Sequence, residues 1–375
     1  MTLSLSYPSK PLGAVWFALM LTLSSLPMTA ALTSSTASTL AWKRLADLPE
    51  PVGLKGLYGG VSHGRLLLAG GSNFPVPAPA GGAKTYHATI FSRALDASDD
   101  TGWTIESTRL PRPLAEGGSA VTPAGIVLVG GRNAQGLSAA TRLMRWDDTS
   151  RRVRLENLPD LPAPRASCAV VWSDGCIYVA GGEGLTETDP DFLRMDLRRW
   201  QQAPDSATWE RLPDCPGPRR FGATLMRVEL ADGTQLILAG GRRLTSAPVA
   251  ESDYRRDAWR YDPAQGDWQR RADLPRPMLL GNAVALGPAS FLIGGGSDGH
   301  DLTRMAELGE RYRLPDDIVR YDADPDRWTI IGKLPVGVAA AASVLAGDQW
   351  IVAGGEYSPG LRTATVSRLP LNILR

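Results

Sequence analysis

The chain has 375 residues, 43% hydrophobic and 21% charged, with 40 basic against 39 acidic side chains. That apolar share with a net charge of +1 excludes a disordered chain. It also argues against a general nucleic-acid binder, whose affinity for phosphates comes from clustered cations. The 40 Gly and 29 Pro, with 11 Trp among the aromatics, point to many turns between many short strands.

At the N-terminus Lys10 precedes an apolar run, Leu12 to Leu26, followed by Pro27 and the small residues Thr29, Ala30 and Ala31. One basic residue, a short apolar run and a small-residue exit describe a secretory signal. The run is short of the roughly 20 residues needed to span hydrocarbon. Residues 1–31 are therefore expected to be a signal peptide cut near Ala30 or Ala31. The expected product is exported to the periplasm, with no membrane span after cleavage; a homodimer is compatible with the chain. Three cysteines, Cys168, Cys176 and Cys215, include no C-x-x-C pair. Zinc ribbons and thioredoxin-like sites are thus excluded, and the cysteines are expected to act as small buried apolar groups.

From residue 40 on, one pattern recurs. A short β-rich apolar run ends in a diglycine at Gly70-Gly71, Gly130-Gly131, Gly181-Gly182, Gly240-Gly241, Gly294-Gly295 and Gly354-Gly355. Upstream of each lies another apolar run joined by a turn such as Ser173-Asp174-Gly175, a hairpin signal. Downstream, most units show an aromatic-Asp pair, a Trp and then Leu-Pro, as in Tyr261-Asp262, Trp268 and Leu274-Pro275. Trp42, Trp103 and Trp209 occupy the same slot elsewhere, and the second unit has Val153 there. Each unit then holds four strands, and six units resemble the kelch repeat. That resemblance implies an all-β fold, a six-bladed β-propeller over residues 40–375. The mature chain begins with a fourth-strand signature, Trp42 then Leu48-Pro49, and ends on a third strand, so the N-terminal strand should complete the last blade.

In such a ring the loops after the diglycines and the links after Leu-Pro share one mouth of the central channel. The links contribute Lys55, Glu116, Arg165, Arg219, Arg220 and Asn282; the loops contribute Asn73, Lys84, His87, Arg132, Glu183, Arg242, Asp298, Glu356 and Arg362. Cations grouped near the axis suit an anionic small molecule.

One loop is more specific: Gly354-Gly355-Glu356-Tyr357-Ser358-Pro359-Gly360-Leu361-Arg362-Thr363. It resembles the active-site loop of the bacterial N-acetylneuraminate mutarotases (sialic acid epimerases), exported six-bladed kelch propellers whose loop carries a Glu after a Gly, then Pro-Gly-Leu-Arg-Thr. The best-known members carry this loop in the fourth blade, with a Gly-Gly-x-x-Phe loop in the next. Here it falls in the sixth, and Gly70-Gly71-Ser72-Asn73-Phe74 stands in the first. The chain thus resembles a circularly permuted branch, rotated by two blades. The insertion Gly299 to Pro315 is shorter than its counterpart in the unpermuted enzymes.

The resemblance implies an isomerase that interconverts the α and β anomers of N-acetylneuraminate or a related acidic sugar. Such chemistry needs positioned proton donors and acceptors, and no cofactor or metal is expected. Glu356 is the expected acid/base, and Arg362 the expected clamp for the sugar carboxylate. Lys55, Asn73, Lys84, Glu116, Arg165 and Arg220 are the further expected substrate contacts.

Other readings fit less well. A non-catalytic kelch propeller binding a carbohydrate or protein partner would favour aliphatic and aromatic anchors at the mouth. A copper radical oxidase needs His and Tyr ligands, yet the chain has only His63, His87 and His300. Sialidase propellers repeat a Ser-x-Asp-x-Gly-x-x-Trp turn that does not occur here. Thr303 to Arg311 is expected to form one or two helical turns, and Asp99-Asp100 and Asp316-Asp317 solvated turns.

Overall fold

The computed structural model describes residues 40–375, so the expected signal segment 1–31 lies outside the described residues. Six antiparallel sheets, each with a path of four strands, follow one another along the chain. Blade one starts with Lys55–Ser62 and Arg65–Asn73, and the first two strands of blade two are Gly118–Thr122 and Gly125–Val129. Blades three, four and five start at Ala169, Thr224 and Asn282. Blade six holds Ala342–Ala346, Gln349–Ala353 and Val366–Pro370, and its fourth strand is Lys43–Leu45 from the other end of the chain. That strand pairs antiparallel with the last, Lys43 opposite Arg368, so the ring closes as the sequence predicts and its terminal edges are covered.

The core is divided into six seams. One cluster joins Leu67 and Ile90 of blade one to Ile126 and Met144 of blade two, and another joins Leu66 and Phe91 of blade one to Val344 and Ile351 of blade six. The remaining four clusters fill the other seams in the same way. Each blade is apolar on both faces because each face meets a neighbour, which is why the second strands read as continuous apolar runs.

Two devices repeat at the seams. The second glycine of each pair donates its N–H to a link carbonyl of the next blade: Gly71 to Leu114, Gly131 to Arg165, Gly182 to Arg220, Gly241 to Met278, Gly296 to Val338 and Gly355 to Leu54. A Cβ on the first glycine would lie 2.2–2.5 Å from those same carbonyl oxygens, so only glycine permits the approach. In blade five this pair is Gly295-Gly296, one residue later than the sequence reading: Gly294 takes the last strand position that Ala or Val holds elsewhere. The second device is the fourth-strand Trp. Trp103, Trp209, Trp268, Trp328 and Trp42 each donate Nε1–H to a carbonyl of the preceding blade, at Ala46, Pro159, Pro213, Ala272 and Lys333. Blade two, with Val153 in that slot, is fastened differently: Thr108 Oγ1–H donates to the Val153 carbonyl at 2.7 Å.

The cysteines are unpaired, with Cys168 and Cys215 buried and Cys176 half-buried. The insertion in blade five forms a short helix, Met305–Leu308, between two 3-10 turns, as expected. Among the described residues no helix is long and apolar enough to cross a membrane.

Candidate active site

The links between blades converge on a closed ring of backbone hydrogen bonds. The Gly56 N–H donates to Ala340, Ala340 to Leu280, Leu280 to Gly222, Gly222 to Ser167, Ser167 to Glu116, and Glu116 back to Gly56, at 2.6–3.0 Å. All six residues hold a left-handed backbone, φ from 51° to 69°, and four of them are not glycine. Such conformations persist only where the surroundings fix them; here closure of the ring does so. These six residues line a cavity of about 150 Å³.

Immediately outside stands a second circle, the residues that follow each diglycine: Ser72, Arg132, Glu183, Arg242, Ser297 and Glu356. Each pairs with the link residue just before the ring, Glu356 with Ala339 and Arg132 with Ala115 for example. A residue's place in this circle is therefore set by the fold, and its chemistry by the side chain.

Glu356 is the most constrained of the circle. Its Oε2 accepts from Lys55 Nζ at 2.6 Å, and its Oε1 accepts from Arg362 at 2.6 Å and from the Gly360 N–H at 2.9 Å. Glu356 opens a two-strand ribbon whose register places Arg362 directly across from it. Between them the turn Ser358 to Leu361 brings the Gly360 amide back onto the carboxylate, so the loop's spacing serves the carboxylate directly. Burial opposes its ionisation, but Lys55 and Arg362 outweigh burial and hold it below the usual glutamate range. The Arg362 guanidinium lies over the Phe74 ring at 4.9 Å.

A second network lies beside it. Glu116, a ring residue, accepts from Lys84 at 2.7 Å and lies 3.2 Å from Arg132, which also pairs with Glu183. Burial works against the Glu116 charge, yet Lys55, Lys84 and Arg132 keep its pKa low. Burial pulls Lys84 below the ordinary lysine range despite its acid partner, with Lys55 and Arg362 adding repulsion. The same Lys84 ammonium sits over the Tyr86 ring at 5.1 Å.

The structure thus brings Lys55, Lys84, Glu116, Glu356 and Arg362 together, and it does not bring Arg165, Arg220 or Asn73 to the open mouth. Arg165 and Arg220 take the seam position held by Leu54, Leu114, Met278 and Val338 in the other blades. Both are buried. Arg165 donates to the carbonyls of Gly181 and Pro190, and Arg220 makes a two-pronged pair with Asp257 while donating to the Gly240 carbonyl. Their donors are taken up in holding blades together, so both expected contacts lie in the seams and not at the open mouth. Asn73 is also buried: it donates to Glu50 at 3.2 Å and meets His87 Nε2 at 3.0 Å. Asn282 likewise bonds the carbonyls of Gly294 and Val338 across a seam.

Sequence reading missed Phe74 and Tyr86, the rings beneath Arg362 and Lys84. Phe74 stood in the quoted loop, but nothing in its spacing reveals that its ring underlies a cation. It also missed that the far side of the mouth is apolar. There Leu302, Met305, Leu308, Tyr312 and Leu314 of the insertion pack toward Leu280 and Ala339 at the ring. A larger cavity, about 480 Å³, lies elsewhere, lined by Arg112, Asn133, Ser138, Arg142 and Asp160. None of Lys55, Glu356 and Arg362 lines it, so buried charge rather than volume locates the site.

No family model matches the chain. It is similar to the N-acetylneuraminate epimerase of Yersinia enterocolitica, 28% identical over 236 residues, which is 56% of this chain and 57% of that protein. The enzyme of that name from Haemophilus influenzae is 25% identical over 232 residues, 56% of this chain and 58% of its own. The matches therefore span little more than half the length of these curated relatives. By fold the chain is similar to the solved structure of YjhT, with a TM-score of 0.60, 16% identity, 86% of this chain and 96% of that one covered. The chain is thus similar to named N-acetylneuraminate epimerases in sequence, and to YjhT in fold.

Proposed function

We propose that this chain, which resembles the N-acetylneuraminate epimerases, is an exported mutarotase that interconverts the anomers of N-acetylneuraminate or a closely related acidic sugar. The observation that carries the reading is the Lys55–Glu356–Arg362 cluster, a carboxylate held at 2.6 Å from each of two cations at the channel mouth. On this reading the blade order is rotated by two relative to those relatives, a change that a closed ring with adjacent termini tolerates.

The chemistry follows from the pair. The anomeric hydroxyl and the ring oxygen of a cyclic sugar are bonded to one carbon, so a base and an acid serving both must be adjacent, as Glu356 and Lys55 are. Glu356, kept ionised by its neighbours, takes the hydroxyl proton while Lys55 gives one to the ring oxygen. The bond from anomeric carbon to ring oxygen breaks, leaving an open-chain ketone and a hydroxyl. After rotation about the adjacent bond, Lys55 takes back the hydroxyl proton, Glu356 protonates the carbonyl oxygen, and the ring closes on its other face. Arg362 fixes the orientation of Glu356 and favours its charged form. Removing the base while keeping its shape separates binding from catalysis. In Glu356→Gln, N-acetylneuraminate should still bind within a few-fold, while anomer exchange measured by NMR falls about 10²- to 10⁴-fold. Exchange at the wild-type rate would refute the assignment.

A further inference from the structure

Arg242 holds the same circle position in blade four that Arg132 holds in blade two and Glu356 in blade six, yet its surroundings differ from both. Among the described residues no carboxylate lies within ion-pair distance of its guanidinium, and its side chain donates no hydrogen bond. Its Nε is buried without a partner. The nearby Asp253 carboxylate is already committed, accepting from Arg243 at 2.5 Å and from the Ala250 N–H at 2.9 Å. What holds Arg242 is aromatic: its guanidinium lies 4.6 Å from the Phe221 ring centre and 5.8 Å from that of Tyr254. Leu279, Leu280 and Leu302 complete the wall around those rings.

A half-buried guanidinium with its donors unmatched, in apolar surroundings, is an anion receptor. Rings fix its plane without consuming N–H groups, and the low local dielectric strengthens any charge-assisted bond made there. The backbone also places it correctly. Arg242 pairs with Phe221, next to ring residue Gly222, and Glu356 pairs with Ala339, next to ring residue Ala340. Gly222 and Ala340 are separated in the ring by Leu280 alone. Both side chains thus stand at one mouth, on either side of Leu280, and Arg362 already donates through Nη1 to Glu356, whereas the Arg242 side chain donates to no protein group among the described residues.

We infer that Arg242 is the carboxylate-binding residue of this site, receiving a sugar acid's carboxylate in a two-pronged pair while the sugar ring reaches toward Glu356. This deepens the mutarotase reading and rests on its acidic-sugar substrate, but it can fail separately. The test is calorimetric titration of the full chain with N-acetylneuraminate and D-glucuronate, each against its own carboxamide. The wild type should prefer at least one acid to its amide by about ten- to hundredfold, as expected for hydrogen bonds to a charged group. Arg242→Met should abolish that preference while leaving amide affinity unchanged, and Arg242→Lys, which keeps the charge but not the fork, should restore part of it. Arg242→Gln serves in place of Arg242→Met if the latter fails to unfold cooperatively. A preference for glucuronate alone that Arg242→Met abolishes would sustain Arg242 and refute the sialic acid substrate. A wild type without acid preference, or an Arg242→Met protein that keeps it, would overturn the inference.

Discussion

Arg132 and Arg242 share a backbone address but not an electrostatic one. Arg132 lies on the side of the mouth built from blades six, one, two and three, where each charge of the cluster has an opposite partner: Lys55 with Glu356, Lys84 with Glu116, and Arg132 with both Glu116 and Glu183. Arg242 lies beside an insertion rich in Leu and Tyr, between two aromatic rings, with no carboxylate within ion-pair distance among the described residues. On the proposed reading, one side of the mouth holds and moves protons and the other holds an anion. A repeat fold makes this division possible because each blade supplies one residue to a fixed circle and can vary it independently.

The largest expected effect removes a cation that the fold requires. Arg220 is buried against Asp257, whose ionisation burial resists, yet the hydrogen bond and charge of Arg220 bring its carboxyl down to about 2. Arg220→Met leaves that buried carboxylate to Arg255 and Trp259 alone and should cost about 3 kcal/mol in denaturant unfolding. The pH dependence has a definite sign. The folded pKa of Asp257 lies below its unfolded value near 3.8, so the pair's contribution is complete above about pH 4 and is lost as pH falls through about 2. Wild-type thermal stability should fall over that window, and Asp257→Asn should flatten the fall.

An intermediate effect is expected at Lys55. Lys55→Met removes the proposed proton donor and the largest charge influence keeping Glu356 ionised, so the Glu356 pKa rises. Exchange should slow at least tenfold, and the acid limb of its pH profile should move to higher pH; an unmoved limb would separate Lys55 from Glu356. The smallest effect sharpens the contrast between the arginines. Arg242→Met removes no ion pair and should change unfolding free energy by about 1 kcal/mol or less, against the several lost at Arg220.

Blade number and ring closure were legible because each seam demands the same residues: glycines under a neighbour's carbonyl, a Trp reaching the preceding blade, a buried Leu before Pro. Glu356 and Arg362 were picked out through the resemblance of their loop, with Arg362 expected on the sugar carboxylate; that the two meet each other across a short ribbon is visible only in the structure. The sequence misplaced the blade-five pair because three consecutive glycines, Gly294 to Gly296, satisfy the pattern in two registers. Arg165 and Arg220 lie away from the open mouth for a related reason: successive link residues face seam, circle and ring in turn, so nearness to Leu-Pro does not expose a side chain. Aligning the links would have placed both arginines with Leu54, Leu114, Met278 and Val338, which are all apolar. The unpaired state of Arg242 was not legible by any alignment, because it depends on Asp253 being taken by Arg243 through a local turn.

The most direct measurement is the rate at which pure α-N-acetylneuraminate relaxes to its equilibrium anomer mixture, followed by proton NMR near neutral pH with and without the wild-type protein. Relaxation should accelerate in proportion to protein concentration, while uncharged N-acetylmannosamine relaxes at its spontaneous rate. An unchanged rate for N-acetylneuraminate at stoichiometric protein would contradict the assignment of the Lys55–Glu356 pair as a mutarotase centre.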